Sequence, residues 1–176
     1  MNIEWDDNEF PLAYLLTFRT YGTWHHGDER GSVDRRSFNK FGNADITPTP
    51  YLVAAEIKQQ KSEPFLLDND GRRVVESSIK EVCMYREFTL HALNVRTNHV
   101  HAVVTKAGKP EKIIEAFKSY STRALRVKNL VTAEVKIWAR HGRTKYLWND
   151  RNVGLAIEYV LYSQRDVFPN FEDLVG

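Results

Sequence analysis

One cysteine, Cys83, stands in 176 residues. A single thiol cannot close an internal disulfide, and its place among helically spaced apolar residues reads as a buried packing group, not a nucleophile. No apolar run approaches the roughly 20 residues that a membrane-spanning helix requires, so no membrane partner is expected. The first residues include Glu4, Asp6, Asp7 and Glu9, unlike the basic head of a secretory signal. Low-complexity tracts and internal repeats are also missing, which excludes solenoid, collagen-like and disordered classes. The expectation is one cytoplasmic globular domain over residues 1–176, with its core within 12–164, long enough to bury a substantial apolar interior.

Charge of either sign is scarce in net terms, at +2, but it is unevenly placed. Lys106 to Lys145 holds eleven lysines and arginines against three glutamates, so the rest of the chain is net acidic. A segment of this kind either forms a solvated helix face or attracts phosphate backbones in a salt-dependent way.

The apolar and aromatic run Leu12–Thr20 predicts a central strand. After it, Tyr21 to about Pro50 contains four glycines and two prolines without periodicity, too long for a simple connection and therefore read as a functional loop. Thr49-Pro50 predicts a helix start continued by Leu52–Ser62. Asp68-Asn69-Asp70-Gly71 reads as a turn, followed by a helix carrying Val75, Ile79, Val82 and Cys83 on one stripe. Phe88–Val95 and His99–Thr105 predict a hairpin around Arg96-Thr97-Asn98. Pro110 opens a helix whose stripe is Ile113, Phe117, Tyr120 and Ala124. Lys136–Ala139 and Lys145–Trp148 read as short strands around a turn at His141-Gly142. Asn149-Asp150 caps a last helix facing the core through Val153, Ile157, Val160 and Leu161. Hairpin-paired strands with intervening helices give an α+β class, an antiparallel sheet covered by helices.

His99-Val100-His101 is the sharpest chemical feature. Strand side chains alternate, so the two histidines leave one face, about 7 Å apart along the backbone. Two imidazoles would hold a divalent ion with positions left for a phosphate oxygen and water, an arrangement for Lewis-acid activation and not a closed structural site. On the tripeptide alone a strand with two packed histidines is the commoner outcome.

The surrounding residues add to it. Leu93-Asn94-Val95-Arg96-Thr97-Asn98-His99-Val100-His101-Ala102-Val103-Val104 resembles the His-hydrophobic-His segment of single-tyrosine transposases, among them the insertion-sequence and REP-associated tyrosine enzymes. Thr17 to Trp24 with Gly27 to Gly31, then Phe117 to Arg123, and Trp138 to Trp148 followed by Ala156 to Leu161, resemble further blocks of that family in the same order. The resemblance runs from about Leu12 to Gln164. It implies a ferredoxin-like (RRM-like) fold and a Mg²⁺- or Mn²⁺-dependent enzyme that cleaves and rejoins single-stranded or hairpin DNA through a 5′-phosphotyrosine link. A phenol near pKa ~10 is a weak nucleophile at neutral pH, so such chemistry needs an activated phosphoryl group.

Of eight tyrosines, Tyr159 matches the family's nucleophile position and is expected off the main apolar face of its helix. Tyr120, on the stripe with Phe117, reads as core. Relatives place an amide four residues beyond the tyrosine as third metal ligand. Here that position is Ser163, and the amide is Gln164, about 140° round the helix from the tyrosine; the third ligand is thus Gln164, Ser163 or a water. Trp24, Arg30 and Arg35 in the long loop suit stacking and phosphate contact, and Lys118, Arg123 and Arg126 suit the DNA backbone. Monomer and homodimer are both left open. The competing class is a non-catalytic, domesticated DNA-binding protein; an RNA-recognition module lacks its aromatic strand signature here, and a two-histidine phosphoesterase lacks its paired His-x-Thr/Ser motifs.

Overall fold

Residues 13–20 read AYLLTFRT, apolar or aromatic at both parities, which is the pattern of a strand covered on both faces. In the computed structural model of the chain, which describes residues 10–23, 50–60 and 62–162, this segment is β1 (Ala13–Thr20), and all of it except Arg19 is buried. The remaining elements are α1 (Pro50–Gln59), α2 (Asn69–Tyr85), β2 (Thr89–Val95), β3 (His99–Thr105), α3 (Pro110–Val127), β4 (Trp138–Leu147) and α4 (Asp150–Tyr162). The four strands form one antiparallel sheet in the order β2-β3-β1-β4. Setting α1 and α4 aside, the β-α-β-β-α-β succession with this order is the ferredoxin-like arrangement expected. No helix of the described residues is long and apolar enough to cross a membrane.

Alternation along β1 divides the interior into two layers. Tyr14, Leu16 and Phe18, with Val100, Ala102 and Val104 of β3, pack under α2 and α3 through Val75, Ile79, Val82, Ile113 and Phe117. Phe18 meets the Trp138 ring edge-on at 5.2 Å, and burying each such side chain stabilises the fold by about 1.5–3 kcal/mol. On the other face Ala13, Leu15, Ala92, Val103 and Leu147 pack under α4 through Ala156 and Val160. Cys83 is buried in the larger layer, where desolvation pushes its thiol up to about 11, in keeping with a packing role.

Three local expectations change. Asp68–Gly71 is not a free turn: the Asp68 carboxylate accepts from the Gly71 amide at 2.7 Å, so this polar cluster is the N-cap and first turn of α2. His141-Gly142 is not a turn either. Trp138–Leu147 is one strand with a register irregularity opposite Phe18 and Thr20. A Cβ on Gly142 would lie 2.8 Å from both Ile114 Cδ1 and the Thr17 carbonyl oxygen, so this glycine permits close approach of α3 to the strand. In α4, Asn149 Oδ1 accepts from the Asn152 amide at 2.8 Å as a cap should, but the buried face is Ala156, Tyr159 and Val160, while Leu161 is exposed.

Candidate active site

The α4 face of the sheet changes character along its length. One end is apolar and lies under α4. At the other end, register places Asn94, His101, Thr17 and Arg143 in a single row across β2, β3, β1 and β4, with Arg19 opposite His99 in the next row. Arg96 donates its amide to the His99 carbonyl at 2.8 Å and closes the hairpin beside it. Every strand therefore supplies polar groups to this corner, which no short stretch of sequence could do.

The two histidines project from one face, as the alternation predicts, and their ring centroids lie 4.6 Å apart, edge to face. His99 Nδ1 donates to Asn98 Oδ1 at 2.6 Å; the acceptor is an amide oxygen, so the neutral ring carries its lone pair on Nε2. His101 Nδ1 is 2.8 Å from the Thr17 hydroxyl oxygen, and both groups are buried. Oxygen partners on Nδ1 are what orients a metal-ligating imidazole and leaves Nε2 toward the ion. Burial, followed by the charges of His99, Arg19, Arg96 and Arg143, holds the His101 pKa well below the usual histidine range, so the ring is neutral at pH 7. Among the described residues no third His, Cys, Asp or Glu completes a metal-binding group.

Tyr159 reaches this corner from α4. Its ring centroid is 5.4 Å from that of His101, edge to face, and the side chain is 5% exposed. It is thus buried against the sheet, contrary to the exposed position expected. The spacing of Val153, Ile157, Val160 and Leu161 predicts a different inward face, but α4 crosses the sheet with Ala156, Tyr159 and Val160 inward. Asn94 fixes the end of that helix by donating Nδ2 to the Val160 carbonyl at 3.0 Å. Desolvation raises the Tyr159 pKa, and the positive charges of Arg143 and Arg96 act in the opposite direction.

Tyr120 lies in the other layer, half-buried among the α2–α3 core, with the Arg86 and Arg123 guanidinium carbons 5.5 and 5.7 Å from its ring centroid. The backbone-contact candidates of α3 also lie there. Lys118, Arg123 and Arg126 line an open groove of about 590 Å³. Lys118 is committed to the fold: Nζ donates to the Ala139 and His141 carbonyls at 2.7 and 3.1 Å, and burial lowers its pKa to about 8. Arg126 Nη2 donates to the Ala133 carbonyl at 3.0 Å. His91, on β2, bonds the Thr105 hydroxyl at 2.8 Å, and His141 is exposed on β4. Ser163, Gln164, Trp24, Arg30 and Arg35 lie outside the described residues.

Sequence reasoning missed Thr17, Arg19, Arg96 and Arg143 as parts of the site. The place of Arg96 opposite His99 follows from the hairpin and was within reach. Thr17, Arg19 and Arg143 depend on β1 being inserted between β3 and β4, which local pattern does not reveal.

The family model described as "Transposase IS200 like" matches residues 57–152, more than half of the chain, including both histidines and ending before Tyr159. Among solved structures, a REP-associated tyrosine transposase bound to a REP hairpin is 14% identical, with a TM-score of 0.45 over 86% of this chain and 65% of that one. The chain therefore spans slightly less than two thirds of that protein. A Deinococcus radiodurans R1 protein assigned as a transposase is also 14% identical, with a TM-score of 0.43 over 88% of this chain and 92% of that one. No curated protein matches. The chain belongs to the IS200-like transposase family.

Proposed function

We propose that the protein is a transposase that cleaves and rejoins single-stranded DNA, with Tyr159 as nucleophile and His99 and His101 as ligands of Mg²⁺ or Mn²⁺. The observation that carries this reading is the direct packing of the Tyr159 ring on His101. Of the two tyrosines considered, it is the one on the histidine face of the sheet; Tyr120 belongs to the opposite layer.

The donor set fits a divalent ion. Two imidazoles share a face, each with Nδ1 held by a side-chain oxygen, and Gln164, Ser163 or a water would complete the ligands. When bound, the ion would polarise the phosphoryl group and stabilise charge developing on it. The chain's own part is the covalent step. Tyr159 Oη attacks the phosphorus and loses its proton, the bond from phosphorus to the 3′ oxygen breaks, and that oxygen takes up a proton as a free 3′-hydroxyl. The DNA 5′ end remains on the tyrosine as a phosphodiester, so attack by a 3′-hydroxyl rejoins the strand without ATP. Burial of Tyr159 disfavours its phenolate, and the positive charges of Arg143 and Arg96 act in the opposite direction.

A hairpin-bearing strand is the substrate class this reading favours, with the solved hairpin complex as the motivating similarity. Incubation of the purified protein with hairpin-bearing single-stranded oligonucleotides and Mn²⁺ tests it. A covalent protein–DNA species that needs His101 is expected. Tight binding with no covalent species on any single-stranded substrate would instead indicate the non-catalytic, domesticated alternative.

A further inference from the structure

Two histidines leave a divalent ion short of protein ligands, and among the described residues no third His, Cys, Asp or Glu joins them. An amide oxygen is a different type of donor, and one lies in the histidine row. Asn94 of β2 is the register partner of His101, directly across the hairpin. Its bond to α4, the helix that packs Tyr159 on His101, places it on the histidine face. Partners on one face of an antiparallel pair have Cβ atoms about 4.5–5.5 Å apart, and diagonal neighbours about 7–8 Å. Asn94 is therefore nearer to His101 than His99 is along its own strand, and within side-chain reach of both.

The orientation of the amide is set from α4. The Val160 carbonyl can only accept, so the group that meets it at 3.0 Å is Nδ2 of Asn94. Oδ1 is thereby turned away from that carbonyl, and it accepts no hydrogen bond from the described residues. Asn94 is half-buried, and an acceptor left without a donor in such a place is what a cation site offers. An amide oxygen is a hard, neutral ligand suited to Mg²⁺ and Mn²⁺. Metal ligands are commonly held by a hydrogen bond at their other end. Thr17 supplies it to His101 and Asn98 to His99, and Val160 supplies it to Asn94.

We infer that Asn94 Oδ1 is the third protein ligand of the divalent ion, in the place left to Gln164, Ser163 or a water. This deepens the transposase reading and rests on its histidine pair. One amide then joins the metal to the helical turn that carries Tyr159, so ion binding and the seating of the nucleophile are coupled.

The test is Mn²⁺ binding to the full chain without DNA, followed by electron paramagnetic resonance. Asn94→Ala is expected to weaken binding about 10–100-fold, since a direct ligand is worth no less than the partners that orient one. It should also add a water to the bound ion, seen as extra line broadening in ¹⁷O-labelled water. Asn94→Asp keeps an oxygen and gains a charge but loses the donor to Val160, and it is expected to bind Mn²⁺ at least as tightly as the parent protein. Gln164→Ala is expected to stay within about threefold, and His101→Ala to lose binding. Urea unfolding confirms that each variant is folded.

Equal loss of Mn²⁺ in Asn94→Asp and Asn94→Ala would overturn the third ligand, because Asn94 would then act only as an anchor of α4. Affinity and water count unchanged in Asn94→Ala, with binding lost in His101→Ala or Gln164→Ala, would overturn it and leave the histidine pair standing. Unchanged affinity in His101→Ala would overturn the pair and the third ligand together. Binding lost in Asn94→Ala and kept in Asn94→Asp, with no covalent DNA adduct under any condition, would sustain the ligand and sink the transposase chemistry.

Discussion

Replacing Thr17 with valine isolates the positioning of His101 from its presence. Valine is nearly isosteric with threonine and suits a buried β position, so the packing of β1 between β3 and β4 is kept. What is lost is the 2.8 Å hydrogen bond to His101 Nδ1, in a site where Thr17 is 2% and His101 5% exposed. Leaving a buried ring nitrogen without that partner costs about 1–3 kcal/mol of folding stability. The second effect is on the metal. An imidazole whose Nδ1 is no longer held loses its preferred tautomer and orientation, and such partners are typically worth 10–100-fold in metal affinity. Thr17→Val should therefore bind Mn²⁺ about 10–100-fold more weakly than the protein with Thr17 in place, while Thr17→Ser, which keeps a hydroxyl, should stay within about threefold. Electron paramagnetic resonance of Mn²⁺ in the Tyr159→Phe background, with saturating oligonucleotide, gives the affinities, and urea unfolding gives the stability. Mn²⁺ affinity unchanged in Thr17→Val, with the stability loss present, would refute the claim that this hydroxyl positions a metal ligand.

Two further outcomes concern the fold around the site. The His101 pKa is lowered in the native state relative to about 6.5 in the unfolded chain. The unfolded state then binds more protons below that value, so stability is full above about pH 6.5 and falls as pH drops toward the folded-state pKa, at up to about 1.4 kcal/mol per pH unit. Urea unfolding across this range should show the slope in wild type and a shallower one in His101→Gln; parallel curves would refute it. Gly142→Ala should cost about 1–3 kcal/mol by overpacking, because the added methyl meets the Thr17 backbone carbonyl as well as Ile114. A thermal melt equal to wild type would show that β4 can move away from α3.

Much of this architecture is legible in the residues because it is local. The apolar run of β1, the hairpin around Arg96–Asn98, the proline opening α3 and the asparagine cap of α4 each act over a few residues. The histidine pair is legible for the same reason, since i and i+2 on a strand share a face. The errors arise where a distant element decides. Gly142 looks like a turn glycine until α3 is packed against it. Tyr159 and Leu161 exchange roles because the direction in which α4 crosses the sheet, set by contacts with Leu15, Val103 and Leu147, selects its inward face. The Asp68 cluster is ambiguous for a different reason: caps and turns draw on the same residues. The arginine corner was invisible until the strand order brought β1 between β3 and β4.

The central claim is that Tyr159, held against His101, is the residue that becomes joined to DNA. The most direct measurement is proteolysis and mass spectrometry of the protein after reaction with a hairpin-bearing single-stranded oligonucleotide and Mn²⁺. The account predicts a nucleotide phosphodiester on the peptide containing Tyr159, with no such peptide from Tyr159→Phe or His101→Ala and a normal one from Tyr120→Phe. A nucleotide found on Tyr120 or any other residue, or an adduct that survives Tyr159→Phe, would contradict it.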